Sequence, residues 1–330
     1  MSELAMPPTT RGGRRPAEQD FDLVVEGVVT IADGVVAVTL RGDGDLPEWT
    51  AGAHIDLRLG PDLIRQYSLC GDPSDRGSMT VAVLREPASR GGSERVHALS
   101  PGDVVPARGP RNNFELEPSP NYVFIAGGIG ITPMLPMIRA AEGAGASWTL
   151  LYGGRTRTSM AFRDRLAEDH PDRVTVWPQD EEGLLDLPAA LATPAPGTLV
   201  YCCGPEPLLA AVENTCRSWP AGALHLERFS ARAEDIETRA DDTPIEVEFR
   251  ESGITVLIPT GVSILDAAAE ARLPVDSSCQ EGICGTCETP VLEGVPDHRD
   301  AVLTEAEREA GDTMMICCSR ACGPRLVLDL

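Results

Sequence analysis

Lysine is absent from the 330-residue chain, so arginine carries all of its positive charge. Acidic residues outnumber basic ones 51 to 28, for a formal net charge of -23. Nucleic-acid binding requires a basic surface, so we expect no nucleic-acid partner. After Thr243 the chain has 16 acidic residues and only 6 arginines. An acidic region of this kind either steers a basic partner protein or only keeps the chain soluble.

Long apolar runs are also missing. The longest uncharged apolar stretch, residues 122–138, is interrupted by three glycines and two prolines. A membrane-spanning helix needs about 20 apolar residues in succession, so no membrane span is predicted. Residues 1–17 have no apolar signal-peptide core and are expected to form a disordered tail. Without a secretion signal, the ten cysteines favour a reducing, cytoplasmic location over a disulfide scaffold.

Four cysteines near the C-terminus have the spacing C-x4-C-x2-C-x29-C, which is typical of a plant-type [2Fe–2S] site. The predicted ligands are Cys279, Cys284, Cys287 and Cys317. Zinc is the alternative, but zinc sites usually contain two C-x2-C pairs and this region has one. Cys318 is an alternative fourth ligand. Cys317 is preferred because the apolar residues 314–316 predict a short buried strand that ends there.

Hydrophobic periodicity predicts a multidomain fold. Residues 18–117 alternate apolar and polar residues between turn signals, which indicates an antiparallel β-barrel. Residues 118–230 alternate strands with helices, as in a doubly wound α/β domain with a parallel sheet. Residues 231–243 are charged and aperiodic, which is typical of a linker. Residues 244–330 predict an α+β domain around the cysteines, with a helix opened by a capping box at Thr304 and Glu307.

Two loops of the α/β segment are expected to bind a nicotinamide nucleotide. The first contains Gly127, Gly128, Gly130, Thr132 and Pro133, and follows a buried strand. Thr132 is expected to cap a helix that starts at Pro133, so that backbone N–H groups face a pyrophosphate. The second contains Cys203, Gly204, Pro205 and Glu206, and also joins a strand to a helix. Close helix–strand packing selects glycine too, so the prediction depends on both loops opening at one sheet edge.

Two segments of the barrel have the side chains to bind a phosphate and a flat ring. In the first, Arg65 suits a phosphate, Tyr67 suits a ring face and Ser68 suits a ring nitrogen. The second, the Arg90-Gly91-Gly92-Ser93 turn, offers backbone donors to phosphate oxygens. Without the other motifs, the first segment indicates only an ordinary edge strand, and the second segment indicates only a flexible loop.

Taken in order, RQYS, RGGS, GGIGITPM, CCGPEP and C-x4-C-x2-C resemble the phthalate dioxygenase reductase family, which includes vanillate demethylase reductases. The resemblance covers residues 20–330. It implies FMN in the barrel, a nicotinamide cofactor in the middle domain, and a C-terminal β-grasp ferredoxin domain that passes electrons to an oxygenase.

The resemblance also implies roles for individual residues. Thr132 would lie at the flavin–nicotinamide junction, Cys203 near the nicotinamide C4 carbon, and Glu227 and Phe229 beside the flavin. The implied FMN contacts are Arg65, Gln66, Tyr67, Ser68, Ala82, Val83, Leu84, Gly91, Gly92 and Ser93.

Electron counting leads to the same enzyme class. A nicotinamide delivers two electrons as hydride, a [2Fe–2S] cluster takes one, and a flavin connects the two. The sequence therefore predicts an NAD(P)H-dependent flavoprotein reductase without a catalytic acid or base. The chain has no Rieske C-x-H pair and is short for an oxygenase, so we expect a monomer that serves a separate Rieske or haem-thiolate oxygenase.

The choice of nicotinamide is less direct. Arg155 and Arg157 follow the second strand of the α/β segment, where arginine favours the 2′-phosphate of NADPH. Similar reductases use NADH despite such arginines, and we expect NADH here. Two other functions stay open: an iron–sulfur sensor with degenerate flavin segments, and a stand-alone flavin reductase or NAD(P)H oxidase.

Overall fold

The computed structural model describes residues 18–61, 63–86, 91–231 and 242–330. The expected tail (1–17), Arg90 and most of the expected linker (231–243) therefore lie outside the described residues. Contacts divide the chain into two compact units, one of which is Gln19–Arg232 and the other of which contains Ala233–Leu330. No helix within the described ranges is both long enough and apolar enough to span a bilayer.

The first sheet contains six antiparallel strands in the order β4-β3-β6-β1-β2-β5. The strands are β1 (Gln19–Ala32), β2 (Val35–Arg41), β3 (His54–Gly60), β4 (Leu63–Ser68), β5 (Ser78–Leu84) and β6 (Val104–Arg111), and helix α1 (Gly92–His97) follows β5. Alternate side chains, such as Ile55 and Leu57 on β3, point into one apolar core. The predicted antiparallel β-barrel sheet is confirmed.

A buried ion pair lies on the other face of β3. Asp56 is directly opposite Gln66 on β4, and the Gln66 side-chain amide donates to Asp56 Oδ1 at 2.9 Å. The Arg111 guanidinium donates to the same oxygen. The side chains of Arg111 and Asp56 are only 4% and 3% exposed. A buried charge needs such a partner because the protein interior solvates it poorly.

The second sheet is parallel and has the strand order β11-β10-β7-β8-β9. Its strands are β7 (Asn121–Gly127), β8 (Ser147–Gly154), β9 (Val174–Pro178), β10 (Thr198–Cys203) and β11 (Leu224–Glu227). The connecting helices are α2 (Met134–Gly143), α3 (Arg163–Asp169), α4 (Gln179–Glu182), α5 (Leu187–Ala190) and α6 (Glu206–Thr215). Successive residues of β7 enter two separate apolar clusters, Phe124 one and Ile125 the other. A sheet buried on both faces is what the predicted doubly wound domain requires.

The predicted cap of α2 is wrong. Gly128–Ile131 form a turn of 3-10 helix, and Thr132 ends that turn in a right-handed helical conformation. Its hydroxyl donates to the Ile129 carbonyl at 3.0 Å. The residue that precedes α2 is Pro133, which has no side-chain cap. The Thr132 hydroxyl thus bonds within the 3-10 turn. The sequence predicted that it would cap α2.

The second unit is built on a mixed sheet with the strand order β13-β12-β18-β14-β16. Its strands are β12 (Ile245–Phe249), β13 (Ile254–Ile258), β14 (Glu288–Glu293), β16 (Thr313–Met315) and β18 (Arg325–Leu328), with a separate pair β15 (Pro296–Asp297) and β17 (Arg320–Ala321). Helix α7 (Ile264–Glu270) is capped by Ser263. Helix α8 (Glu305–Ala310) begins with the predicted Thr304–Glu307 capping box.

Removal of one partner of the buried Asp56–Arg111 pair should destabilise the first unit. Asp56→Ala leaves a buried guanidinium without its carboxylate, for which about 3 to 5 kcal/mol of lost unfolding free energy is typical. The exposed Arg76–Glu48 pair, with its atoms 2.5 Å apart, supplies the control. Glu48→Ala should cost less than about 1 kcal/mol. Urea unfolding of both variants measures the difference, and equal losses would contradict the assignment.

Candidate functional site

The four predicted cluster ligands are close together in the second unit. Cys279, Cys284 and Cys287 lie in the segment between α7 and β14, and Cys317 follows β16. All four are buried. β14 and β16 pair antiparallel, with Glu288 opposite Met315, and this pairing brings Cys287 and Cys317 together. The Ile316 amide donates to the Cys287 carbonyl at 3.4 Å.

Hydrogen bonds connect the four thiols. Cys279 bonds with Cys284 and Cys317, and these bonds lower the pKa of the Cys279 thiol. Cys317 also bonds with Cys287. The Glu281 amide donates to Cys279 Sγ at 3.3 Å. Thiolate ligands with backbone donors to sulfur are what a [2Fe–2S] cluster needs, so the residues present fit this group.

A single metal ion fits this region less well. Within the described residues, no three side chains of His, Cys, Asp or Glu surround one point as a single ion requires. A two-iron cluster divides its four ligands between two irons and needs no such point.

Cys318 is half-buried and packs against the cysteine loop. Its Sγ atom is 3.7 Å from the Met315 carbonyl oxygen. A Cβ atom added to Gly282, where φ is +70°, would lie 2.5 Å from the same sulfur. Cys317 bonds with two of the other three ligand candidates, which favours Cys317 as the fourth ligand.

The predicted flavin-binding segments meet at one corner of the barrel. An added Cβ on Gly92 would lie 2.5 Å from Arg65 Cγ, so the Arg65 side chain on β4 packs against the start of α1. The Ser93 hydroxyl accepts from the Glu86 amide at 3.0 Å, just beyond β5. His97 of α1 bonds with the Val83 carbonyl of β5 at 2.9 Å. The structure thus groups β4, the turn at Gly91–Ser93 and the Ala82–Leu84 stretch of β5.

The two glycine-containing loops are in direct contact. Cys203 pairs with Ala126 at the carboxyl ends of adjacent strands. A Cβ added to Gly130 would lie 2.2 Å from the Cys203 carbonyl oxygen, and one on Gly127 would lie 2.8 Å from Pro205 Cδ. Glycine is therefore required here for close packing. The same contact forms the sheet edge at which nucleotides bind in doubly wound domains.

A half-buried carboxyl joins the barrel to the parallel sheet. Glu227, the last residue of β11, accepts a hydrogen bond from the Ser68 hydroxyl of β4. The Cys203 thiol donates to Glu227 Oε2 at 3.8 Å. Burial raises the pKa of Glu227 to about 8, and burial also raises the pKa of the Cys203 thiol. The structure therefore brings together Ser68, Cys203 and Glu227, which the resemblance places beside the flavin and nicotinamide.

Two predicted nucleotide contacts are paired with other side chains. Arg157 forms two hydrogen bonds with the Glu181 carboxylate of α4, at 3.1 and 2.7 Å. Glu206, at the start of α6, binds Arg228 at 3.0 Å. Arg155 is tied to α4 through its carbonyl, which accepts from the Asp180 amide at 3.2 Å.

Sequence reasoning missed Arg228, Arg111 and Glu181. The family resemblance implied roles for Glu227 and Phe229 but none for Arg228, which lies between them. Arg111 and Asp56 are 55 positions apart, and no local pattern connects them. Glu181 lies in an acidic stretch whose position beside Arg157 depends on the order of the strands.

Comparison with known families matches two parts of the chain. Residues 247–322 match a 2Fe-2S iron-sulfur cluster binding domain, and residues 124–214 match an oxidoreductase NAD-binding domain. The first match contains all four cluster cysteines. The second contains both glycine loops.

Similar proteins extend the match over most of the chain. Phenoxybenzoate dioxygenase subunit beta of Ectopseudomonas oleovorans is 46% identical over 314 residues, which are 93% of this chain and 97% of that protein. The structure of phthalate dioxygenase reductase, described as a modular structure for electron transfer from pyridine nucleotides to [2Fe-2S], is 35% identical, with a TM-score of 0.69 over 94% of this chain and 98% of that one.

A third similar protein is larger. The structure of an intact type IV self-sufficient cytochrome P450 monooxygenase is 48% identical, with a TM-score of 0.89. The match covers 94% of this chain and 41% of that one, so the chain spans about two fifths of its length.

Gly130→Ala should disrupt the nucleotide edge of the parallel sheet. The new methyl group would overlap the backbone of Cys203 and Gly204, so the two loops must separate. We expect the KM for NADH to rise at least about tenfold, since small misplacements in a site are costly. Gly143→Ala is the matched control because an added Cβ there meets open space. Steady-state kinetics with both variants provides the test, and parental kinetics for Gly130→Ala would count against this edge as the nucleotide site.

Glu227→Gln should change how stability depends on pH. The pKa of Glu227 is about 8 in the folded chain, against 4.5 as its ordinary value. Between these values the folded state holds a proton that the unfolded state has released, so the wild type loses stability as pH rises. Glutamine is neutral throughout and removes this loss. Thermal unfolding from about pH 5 to pH 8 should show the wild type falling relative to Glu227→Gln, whereas exposed Glu182→Gln should follow the wild type. Parallel curves for wild type and Glu227→Gln would show that the carboxyl titrates normally.

Proposed function

Because the chain belongs to the phthalate dioxygenase reductase-like family, we propose that it is the reductase component of a multicomponent oxygenase or demethylase. It passes electrons from a nicotinamide nucleotide through FMN and a [2Fe–2S] cluster to a separate oxygenase. The observation that carries the proposal is the presence, in one chain, of the Ser68–Glu227–Cys203 junction and the four connected cysteines.

We propose the domain boundaries that the sequence predicts. We assign FMN to residues 18–117, the nicotinamide to 118–230, the linker to 231–243 and the cluster to 244–330. The proposed ligands of the cluster are the cysteines 279, 284, 287 and 317. FMN, when bound, takes up two electrons as hydride and releases them singly to the cluster.

In the barrel, Arg65 and the Gly91–Ser93 turn would hold the FMN phosphate, because a guanidinium and backbone donors bind phosphate oxygens. Tyr67 would lie against the ring. Ser68 is held in place by its hydrogen bond to Glu227. At neutral pH the Glu227 carboxyl keeps its proton, since burial raises its pKa to about 8. It is therefore a neutral hydrogen-bonding group, which adds no charge beside the hydride path.

NADH is the proposed donor. The Glu181 carboxylate already occupies the Arg157 guanidinium that a 2′-phosphate would use. A second negative group next to this carboxylate is disfavoured by charge repulsion.

The proposed partner is a separate oxygenase polypeptide. Relatives that are named as dioxygenase subunits, one of them as a reductase subunit, support a Rieske non-haem iron oxygenase. The likeness to part of a self-sufficient cytochrome P450 monooxygenase supports a haem-thiolate monooxygenase as the second candidate. A cytoplasmic monomer remains the proposed state of the chain.

Cys284→Ser separates the two halves of the proposed electron path. The purified wild type should show flavin and [2Fe–2S] absorbance, reduce its flavin with NADH, and pass electrons to cytochrome c. Cys284→Ser should keep rapid flavin reduction in stopped-flow measurements and lose at least about tenfold in cytochrome c reduction, because the exit centre is damaged. Cys322→Ser is the control, since Cys322 is an exposed thiol in the same unit.

The other functions give different results in this experiment. An iron–sulfur sensor would show no turnover with NADH. A stand-alone flavin reductase would keep cytochrome c reduction in Cys284→Ser at the wild-type rate. Either result, or a purified wild type without flavin absorbance, would overturn the proposed function.

A further inference from the structure

Arg228 lies between the two residues that the resemblance places beside the flavin. Parallel pairing of β11 with β10 ends at Glu227, opposite Cys203. Arg228 and Phe229 therefore leave the sheet without strand hydrogen bonds to hold their position. Phe229 is 42% exposed, so the core does not hold it either.

The Arg228 side chain holds this segment against α6. Its Nε atom donates to Glu206 at 3.0 Å and its NH2 group donates to Glu213 at 3.0 Å. The two glutamates are seven residues apart, which is about two helical turns and places them on one face of α6. The Arg228 side chain is 10% exposed, whereas both glutamates are 36% exposed. One guanidinium thus bridges two carboxylates along the helix.

Consecutive residues at the end of β11 are fixed to different elements. Arg228 is bound to α6, while Glu227 is bound to Ser68 of the barrel and to Cys203 of β10. A shift of Arg228 along α6 would move the adjoining Glu227 away from both partners. The segment is therefore held from two sides.

The two glutamates also balance the charge of the arginine. Arg228 is next to Glu227 in the chain, but it is not among the groups that lower the pKa of Glu227. Its charge acts instead on the Cys202 thiol of β10, whose pKa burial raises and Arg228 lowers.

We propose that Arg228, clamped by Glu206 and Glu213, is a positioning residue that holds Glu227 and Phe229 at the flavin–nicotinamide junction. The proposal rests on the proposed function, because it assumes that FMN and NADH meet there. It also gives Glu206 a role beyond the predicted nucleotide contact, since its carboxylate binds Arg228.

Arg228→Met is the direct test, with Arg217→Met as the control because Arg217 is exposed just after α6. Arg228→Met should retain FMN and [2Fe–2S] absorbance. Flavin reduction at saturating NADH should slow at least about tenfold, since misplaced groups lower the rate of a positioned reaction. The dissociation constant for NADH should change less than about twofold. Arg228→Lys keeps the charge but not the planar fork, and should restore part of the rate.

The visible circular dichroism of bound FMN supplies a readout that does not depend on turnover. It should change in Arg228→Met and stay parental in Arg217→Met, because only the first moves groups beside the ring. If Arg228→Met lowers thermal stability while its reduction rate and FMN dichroism stay parental, the arginine is only a structural tie and the proposal is wrong.

The double variant Glu206→Gln/Glu213→Gln removes both carboxylates that bind Arg228 but keeps the arginine. It tests the proposal even if Arg228→Met does not fold. This variant removes both carboxylates that hold Arg228, so flavin reduction at saturating NADH should slow and the FMN dichroism should change, as in Arg228→Met. A parental reduction rate together with parental FMN dichroism would overturn the proposal. Absence of flavin from the wild type is a different result, which would reject the proposed function itself.

Discussion

The barrel and the parallel sheet are joined by a carboxyl group, that of Glu227, whose surroundings favour its uncharged form. Glu227 is half-buried and is bonded to a hydroxyl and a thiol, neither of which supplies a positive charge. Burial of an ionised carboxylate without a cation is costly, so the group keeps its proton at neutral pH. The hydrogen bonds of this carboxyl connect three strands, because Ser68 is on β4, Cys203 ends β10 and Glu227 ends β11. The relative position of the two sheets at this junction therefore depends on a neutral side chain.

A steric constraint acts at the same sheet edge. Gly130 packs on the Cys203 backbone so closely that a Cβ has no room. This contact fixes where β10 ends and hence where the Cys203 thiol lies relative to Glu227. The glycine loop thus serves close packing, and it lies at the sheet edge where nucleotides bind in doubly wound domains. Functional glycines often combine the two, since a backbone that approaches a ligand also approaches its neighbours.

The sequence predicted the class of each sheet because strand and helix periodicity is a local property. It predicted the cysteine set and the Thr304–Glu307 capping box for the same reason, since fixed spacings within one segment carry them. The Thr132 cap was wrong because the glycine loop closes its own 3-10 turn and uses the hydroxyl first. The pairs of Asp56 with Arg111 and of Arg228 with α6 join distant parts of the chain. Such pairs depend on strand order and on the depth of burial, and a single sequence shows neither.

Because the chain has no lysine, its ion pairs depend on arginine. Several arginines bind more than one carboxylate: Arg228 binds Glu206 and Glu213, and Arg299 binds Asp242 and Asp297. Arg325 contacts three glutamates on the mixed sheet, Glu246, Glu248 and Glu293. A planar guanidinium with five donors is suited to this sharing, whereas an ammonium group is a single point charge. These ion pairs leave the net charge unchanged, and the chain as a whole carries a formal charge of -23. The second unit, in which acidic residues outnumber arginines most strongly, should therefore favour a partner whose docking surface is basic.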